Sequence, residues 1–159
     1  MMNRTGFGFD IHPRVPSRAL VLGGVTIESD LGLSGHSDAD VLSHAIGEAL
    51  LGALALGDLG RHFPDSDERY RGISSLVLLR HVVELLGAQA ARLVNVDATV
   101  LAQAPRLAPR LPEMAKCLAD VLGLAENRVS VKAKSPEGLG LVGRREGIAA
   151  MAVVSVEVP

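Results

Sequence analysis

Ile148-Ala149-Ala150-Met151-Ala152-Val153-Val154-Ser155-Val156-Glu157-Val158 reads as a strand that is apolar on both faces. A strand with one wet face alternates apolar and polar residues, whereas one buried on both sides is almost continuously apolar. The fold must therefore cover this strand twice. Helices can cover one face and a second subunit the other. Working back toward the N-terminus, residues 135–143 form a Gly-rich loop and residues 128–134 another strand. Before it comes a helix that opens at Pro109 or Leu111 and ends near Gly123. Residues 93–101 alternate as a strand that ends in Ala104-Pro105. Helices are expected over about residues 74–86 and 39–56, the latter capped by Ser37 or Asp38 and closed at Gly57. Residues 58–72 and 31–37 read as loops. Ala19-Leu20-Val21-Leu22 and Val25-Thr26-Ile27 flank Gly23-Gly24 as a hairpin, and residues 4–12 form the first strand. The order β-β-β-α-α-β-α-β-β predicts an α+β fold, a single domain over residues 1–159 whose mixed sheet carries helices on one face.

The composition narrows the function classes. Of 159 residues, 48% are hydrophobic and 21% charged, so the chain is globular rather than disordered. Aromatics are 3% with no Trp, which leaves the core to Leu, Val, Ala and Ile. A net charge of -2 and a pI near 6.2 exclude a general nucleic-acid binder, which needs a basic face. No apolar run approaches the roughly 18–20 residues of a membrane span. The mean hydropathy of +0.28 is high and points to apolar surface hidden in an oligomer. Cys117, the lone cysteine, can form no internal disulfide, fits a reducing cytoplasm and reads as a buried, inert thiol. Met1-Met2-Asn3-Arg4 runs into a strand-like pattern with no signal peptide visible.

Alternation on the first strand puts Asp10 and His12 on one side and Phe7, Phe9 and Ile11 on the other. A carboxylate beside an imidazole suits zinc or another first-row divalent ion. His44, on the polar stripe of the first helix, can supply a third ligand. Asp40 one turn before it, or Glu48 one turn after, can orient its ring. Three protein ligands leave one position open, as in catalytic zinc sites. Spacing alone also admits the ordinary reading, because Asp-x-His pairs and helical histidines are common without a metal. His36-Ser37-Asp38-Ala39-Asp40 sets a His, two carboxylates and a hydroxyl at a helix N-terminus, which favours anions. Plain capping accounts for most of that stretch but not for His36. Lys132-Ala133-Lys134-Ser135-Pro136-Glu137-Gly138-Leu139-Gly140 has the cations, hydroxyl, carboxylate and flexible backbone of a phosphate-handling loop, or of an ordinary surface loop, and lacks Walker spacing.

Taken together these stretches resemble the 2-C-methyl-D-erythritol 2,4-cyclodiphosphate synthase family. The resemblance is carried by Gly8-Phe9-Asp10-Ile11-His12, His36-Ser37-Asp38-Ala39-Asp40 with His44, Gly57-Asp58-Leu59-Gly60 and Phe63-Pro64-Asp65-Ser66-Asp67. It continues in Ala102-Gln103-Ala104-Pro105, Lys132-Ala133 with Glu137, and Gly143-Arg144 with Glu146-Gly147-Ile148-Ala149, in the family's order and over nearly the whole chain.

The resemblance implies an enzyme of the non-mevalonate isoprenoid pathway. It would convert 4-diphosphocytidyl-2-C-methyl-D-erythritol 2-phosphate to the cyclic diphosphate and CMP. It implies a homotrimer packing its sheets around a threefold axis, with active sites between adjacent subunits. Zn²⁺ is expected on Asp10, His12 and His44, and Mg²⁺ or Mn²⁺, bridging the diphosphate, on Glu137. His36 and Ser135 match positions that stabilise the transition state. Asp58 and Gly60, with Phe63, Asp65 and Asp67, match the surroundings of the methylerythritol unit. Ala102, Pro105, Arg106, Leu107 and Ala108 match a cytosine pocket supplied by the neighbouring subunit. Ser37, Lys134 and Leu141 complete the expected substrate contacts. Arg144 matches a residue near the axis, where an isoprenoid diphosphate can sit in an apolar cavity. Ser135 stands where the family usually has Thr, Lys134 where Thr is frequent, and Phe7 where a polar residue is often seen, while Pro136 stiffens its loop. A zinc-dependent phosphohydrolase, or a non-catalytic trimer that binds isoprenoid diphosphates, are the competing readings.

Overall fold

The structure, a computed structural model, describes residues 1–159. The doubly apolar strand, β7 (Gly147–Val158), lies in the middle of a five-stranded sheet. On one side β1 (Met2–Val15) runs antiparallel to it, from Met2 opposite Val158 to Pro13 opposite Gly147. On the other side β5 (Arg92–Leu101) is also antiparallel, and β6 (Val129–Lys134) then runs parallel to β5 at the edge. A short β4 (Gly32–Leu33) pairs with the end of β1. The sheet is therefore mixed, in the order β4-β1-β7-β5-β6. β2 (Leu20–Leu22) and β3 (Val25–Ile27) form a separate hairpin through Gly23 and Gly24, both at positive φ as a tight two-residue turn requires.

The longer helices α1 (Val41–Ala53), α3 (Ser75–Ala88) and α4 (Leu111–Leu122) lie on one face of the sheet, as expected. Beneath them Ile148, Ala150, Ala152, Val154 and Val156 of β7 are fully buried. α1 sits flush on β1 because Gly6 and Gly8 leave room for it. A Cβ on Gly8 would lie 1.9 Å from the Ala45 carbonyl oxygen, and one on Gly6 1.8 Å from that of Ala49. The chain leaves most of the other face uncovered, although Ala149 at one end of it is buried. Phe7 (62% exposed), Phe9 (51%), Ile11 (38%) and Val153 (42%) stand there in a contiguous apolar stripe.

Several local expectations change. α1 is shorter than residues 39–56 and its cap is Asp40, not Ser37 or Asp38. Ala39 at φ 58 and Ala55 at φ 56 are left-handed, so the helical path cannot pass through either. Asp40, fully buried, accepts from the amides of Ser43, Gly23 and Gly24 and from the Ser43 hydroxyl, tying the hairpin turn to the helix start. The 58–72 loop contains a one-turn helix, α2 (Leu59–His62), and a 3₁₀ turn at Glu68–Tyr70, and the 135–143 loop contains α5 (Gly140–Gly143). β4 replaces part of the expected 31–37 loop. Cys117 is half-buried rather than buried, and burial pushes its thiol up. No helix is long and apolar enough to cross a membrane.

Candidate metal centre and active site

Because Gly8 lets α1 approach β1 closely, His44 on α1 reaches the two side chains that β1 turns toward it. Asp10 Oδ2 lies 2.8 Å from His12 Nε2 and 3.0 Å from His44 Nδ1. The two ring nitrogens are 3.1 Å apart. Three donor atoms thus face one point. Ligands of a tetrahedral zinc with bonds near 2.0 Å stand roughly 3.3 Å from one another, so this set fits such an ion with a small outward adjustment. Asp10 is aimed by its other oxygen, which accepts the Ile11 amide at 2.9 Å. Gly35 flanks the His12 ring closely, and a Cβ there would stand 3.3 Å from its Cε1.

His44 is fixed from behind by residues other than those expected. Its Nε2 donates to Ser75 Oγ at 2.8 Å, with Ser37 Oγ at 3.2 Å. Ser75 donates to Asp38, which also accepts the Ser75 amide at 3.1 Å. With Nε2 carrying the proton, Nδ1 presents its lone pair to the metal locus. Asp40 and Glu48 do not orient the ring. Asp40 is consumed by its cap, and Glu48 accepts the Leu59 amide at 3.0 Å, holding the start of α2. Neither Ser75 nor Asp38 carries a ligand spacing; the Ser74-Ser75 pair at the start of α3 was the available signal, and it reads as capping.

The electrostatics match a cation site. Burial opposes ionisation of Asp10, but hydrogen bonds and charge from His12 and His44 outweigh it and hold the carboxyl well below the usual range. Burial likewise disfavours the His44 imidazolium, and the bond and charge of Asp10 outweigh it, raising His44.

A pocket of about 300 Å³ opens beside this centre. It brings together Asp10, His12, His36, Ser37 and His44 with Gly60, Phe63 and Asp65, and adds Glu48 and Tyr70. His36 Nε2 donates to the Asp67 carbonyl at 3.0 Å, tying the pocket's two walls. Asp58 and Asp67 do not line it. Asp58 caps α2 through the Arg61 amide, and the Asp67 carboxylate is held by Arg69.

A second pocket, about 260 Å³, collects Ala102, Pro105, Arg106, Leu107 and Ala108 with Lys134 and Ser135. Gln103 joins it, and its Oε1 accepts the Gly138 amide, tying this loop to the one bearing Glu137. Lys134 lies in the row that runs from His12 through Ile148 and from Ala149 through Leu101 to Lys134, so the two pockets open at one end of the sheet. Three strand spacings separate β1 from β6, roughly 14 Å, too far for groups of both pockets to hold one ion. Glu137 is exposed, forms no ion pair and is not part of the Asp10–His12–His44 cluster. Leu141 lines a third hollow with Ile11, Pro13 and Glu146, and Arg144 is exposed and paired with Glu146 at 2.6 Å.

A profile described as "YgbB family" matches residues 3–157. A 2-C-methyl-D-erythritol 2,4-cyclodiphosphate synthase of Alkaliphilus metalliredigens is 54% identical over 153 residues, 96% of either chain. One of Geobacter sulfurreducens is 55% identical over 154 residues, 97% of this chain and 98% of that one. Among solved structures, a cyclodiphosphate synthase in a CDP-bound form superposes with a TM-score of 0.89 at 36% identity, over 97% of this chain and 100% of that one. The bifunctional IspDF of Campylobacter jejuni gives 0.95 at 39% identity over 99% of this chain, which spans 43% of that longer protein.

Proposed function

The chain belongs to the YgbB family, and we infer that it converts 4-diphosphocytidyl-2-C-methyl-D-erythritol 2-phosphate to 2-C-methyl-D-erythritol 2,4-cyclodiphosphate and CMP. It is a phosphorus–oxygen lyase of the non-mevalonate isoprenoid pathway, and its relatives are named 2-C-methyl-D-erythritol 2,4-cyclodiphosphate synthases. The observation that carries the site assignment is the convergence of Asp10, His12 and His44 beside a pocket rich in hydrogen-bond donors.

One oxygen of the 2-phosphate attacks the β-phosphorus, the bond from that phosphorus to the CMP oxygen breaks, and CMP leaves with the electron pair. The nucleophile is already anionic, so no strong base is required. The barrier lies in bringing two anionic phosphates together in line. Asp10, His12 and His44 would hold zinc, which supplies a Lewis acid for a phosphoryl oxygen when bound. Glu137, with substrate phosphates, would hold Mg²⁺ or Mn²⁺; one free carboxylate suits that ion. Ser135 would donate to a phosphate oxygen, His36 would do so by exchanging its bond to the Asp67 carbonyl, and Lys134 would add charge. Gly60, Phe63 and Asp65 would enclose the methylerythritol unit, with Asp58 and Asp67 fixing the backbone of that wall. The backbone of Ala102–Ala108 would read the cytosine edge.

The two pockets belong to one reaction if the metal half of one subunit meets the cytidine half of the next. The uncovered apolar face supports this: Phe7, Phe9, Ile11 and Val153 would be buried in a homotrimer around the axis. Arg144 and Leu141 then lie toward that axis, where an isoprenoid diphosphate could be held. A reducing cytoplasm accords with the free Cys117.

The test is incubation of the protein with substrate, zinc and Mg²⁺. The cyclic diphosphate and CMP should appear in equal amounts. Release of inorganic phosphate would mark a hydrolase, and no turnover a binding protein.

A further inference from the structure

The Arg14 guanidinium has no part in the reaction described above, yet its side chain is only 1% exposed. A charge is buried this deeply only when several acceptors hold it. Its Nη1 donates to the Ala104 carbonyl at 2.9 Å. Its Nη2 donates to Ser29 Oγ at 2.9 Å and the Leu31 carbonyl at 3.3 Å, with Asp30 at 3.4 Å. The backbone at Arg14 is pinned as well, by the hydrogen bond its amide donates to the Glu146 carbonyl and by its pairing with Leu33.

Ala104 lies between Gln103 and Pro105, both of which line the second pocket. Arg14 lies two residues beyond His12 on the same strand. One rigid side chain therefore runs from the strand of the metal centre to the loop of the other pocket. We propose that Arg14 is a positioning residue for nucleotide binding, setting through Ala104 the backbone that reads the cytosine. The fork of the guanidinium is what the task needs. One nitrogen holds the loop while the other is anchored at Ser29 and Leu31, and a lysine ammonium could not span both. Gln103 beside it accepts the Gly138 amide, and Ala102 and Leu107 anchor the ends of the loop, so Arg14 is the side chain that holds the Ala104 carbonyl itself.

This inference rests on the cytidine assignment of the second pocket, and the test separates the two. CDP affinity is measured by calorimetry, zinc affinity by chelator competition, and KM and kcat by turnover, for wild type, Arg14→Lys and Arg14→Met. Losing a charge-assisted hydrogen bond to the loop should weaken CDP binding about tenfold in Arg14→Lys and more in Arg14→Met. KM should rise with kcat largely kept, because the loop binds substrate and transition state alike. Zinc affinity should stay within about twofold of wild type, because Asp10, His12 and His44 touch none of the lost contacts. If Arg14→Met does not fold, Arg14→Lys decides alone. CDP affinity unchanged in Arg14→Lys, or zinc and CDP lost in equal measure, overturns the proposal. Wild-type protein that binds no CDP overturns the cytidine reading itself and this inference with it.

Discussion

His44 Nε2 donates to the Ser75 hydroxyl at 2.8 Å across 31 residues of sequence, and Ser75 passes the chain of bonds to Asp38. This contact selects the His44 tautomer that offers Nδ1 to a metal. Ser75→Ala should lower zinc affinity roughly 10–100-fold, the usual cost of removing a partner that orients a ligand. Chelator competition reads this directly. Unchanged affinity would show that α1 alone fixes the ring.

Gly8→Ala should cost at least about 2–3 kcal/mol, because the new Cβ meets a backbone carbonyl that can yield only if α1 moves off β1. His44 rides on α1, so zinc affinity should fall too. Gly87→Ala is the contrasting change. Its Cβ would meet nothing within 4 Å, and it should stabilise α3 by up to about 1 kcal/mol. Denaturant melts of both variants check the pair.

The metal-free centre has a defined pH behaviour. His44 is raised above 6.5, so its contribution to stability is full below that value and is lost as pH rises through the folded value. Asp10 is depressed below 3.8, so its contribution holds above that value and is lost as pH falls through the folded one. Zinc must displace the proton on His44, so its affinity should climb with pH through the folded His44 value and then level. The gain in melting temperature on adding zinc should therefore be larger at about pH 8.5 than at about pH 5.5. A gain that shrinks over that span would contradict the assignment of His44 as a ligand.

His44→Ala removes a ligand outright, and turnover in the presence of Mg²⁺ should fall at least about 100-fold. Activity that survives this change would put the chemistry elsewhere.

Asp10→Ala damages only the metal half of a site and Ser135→Ala only the cytidine half. If each site draws its halves from two subunits, random mixing of the two inactive variants rebuilds about a quarter of the sites. Refolding the variants together and assaying the mixture gives the answer. No recovery would mean that one chain supplies both halves.

Much of the site could be read from the chain because it is local. Asp10 and His12 share a face through strand alternation, and residues 102–108 and 134–137 lie on loops that flank strands. The long central strand announced a sheet needing cover on both faces, since a period of two leaves no wet side in residues 148–158. What misled was equally local: Ser37, Asp38 and Asp40 all suit a helix cap, and only the left-handed backbone at Ala39 decides among them.

The sequence by itself determined the residue types of the metal set, the order of the longer elements and the apolar strand. Only the tertiary structure decided that Ser75 and Asp38, not Asp40 or Glu48, stand behind His44, and that Arg14 ties the strand of the metal centre to the loop around Ala104. The reason is physical. Periodicity fixes which side of its own element a residue faces, whereas a hydrogen bond between groups 31 or 90 positions apart depends on how elements pack. For His44, its approach to Asp10 and His12 is set by two glycines on β1 that let α1 come close.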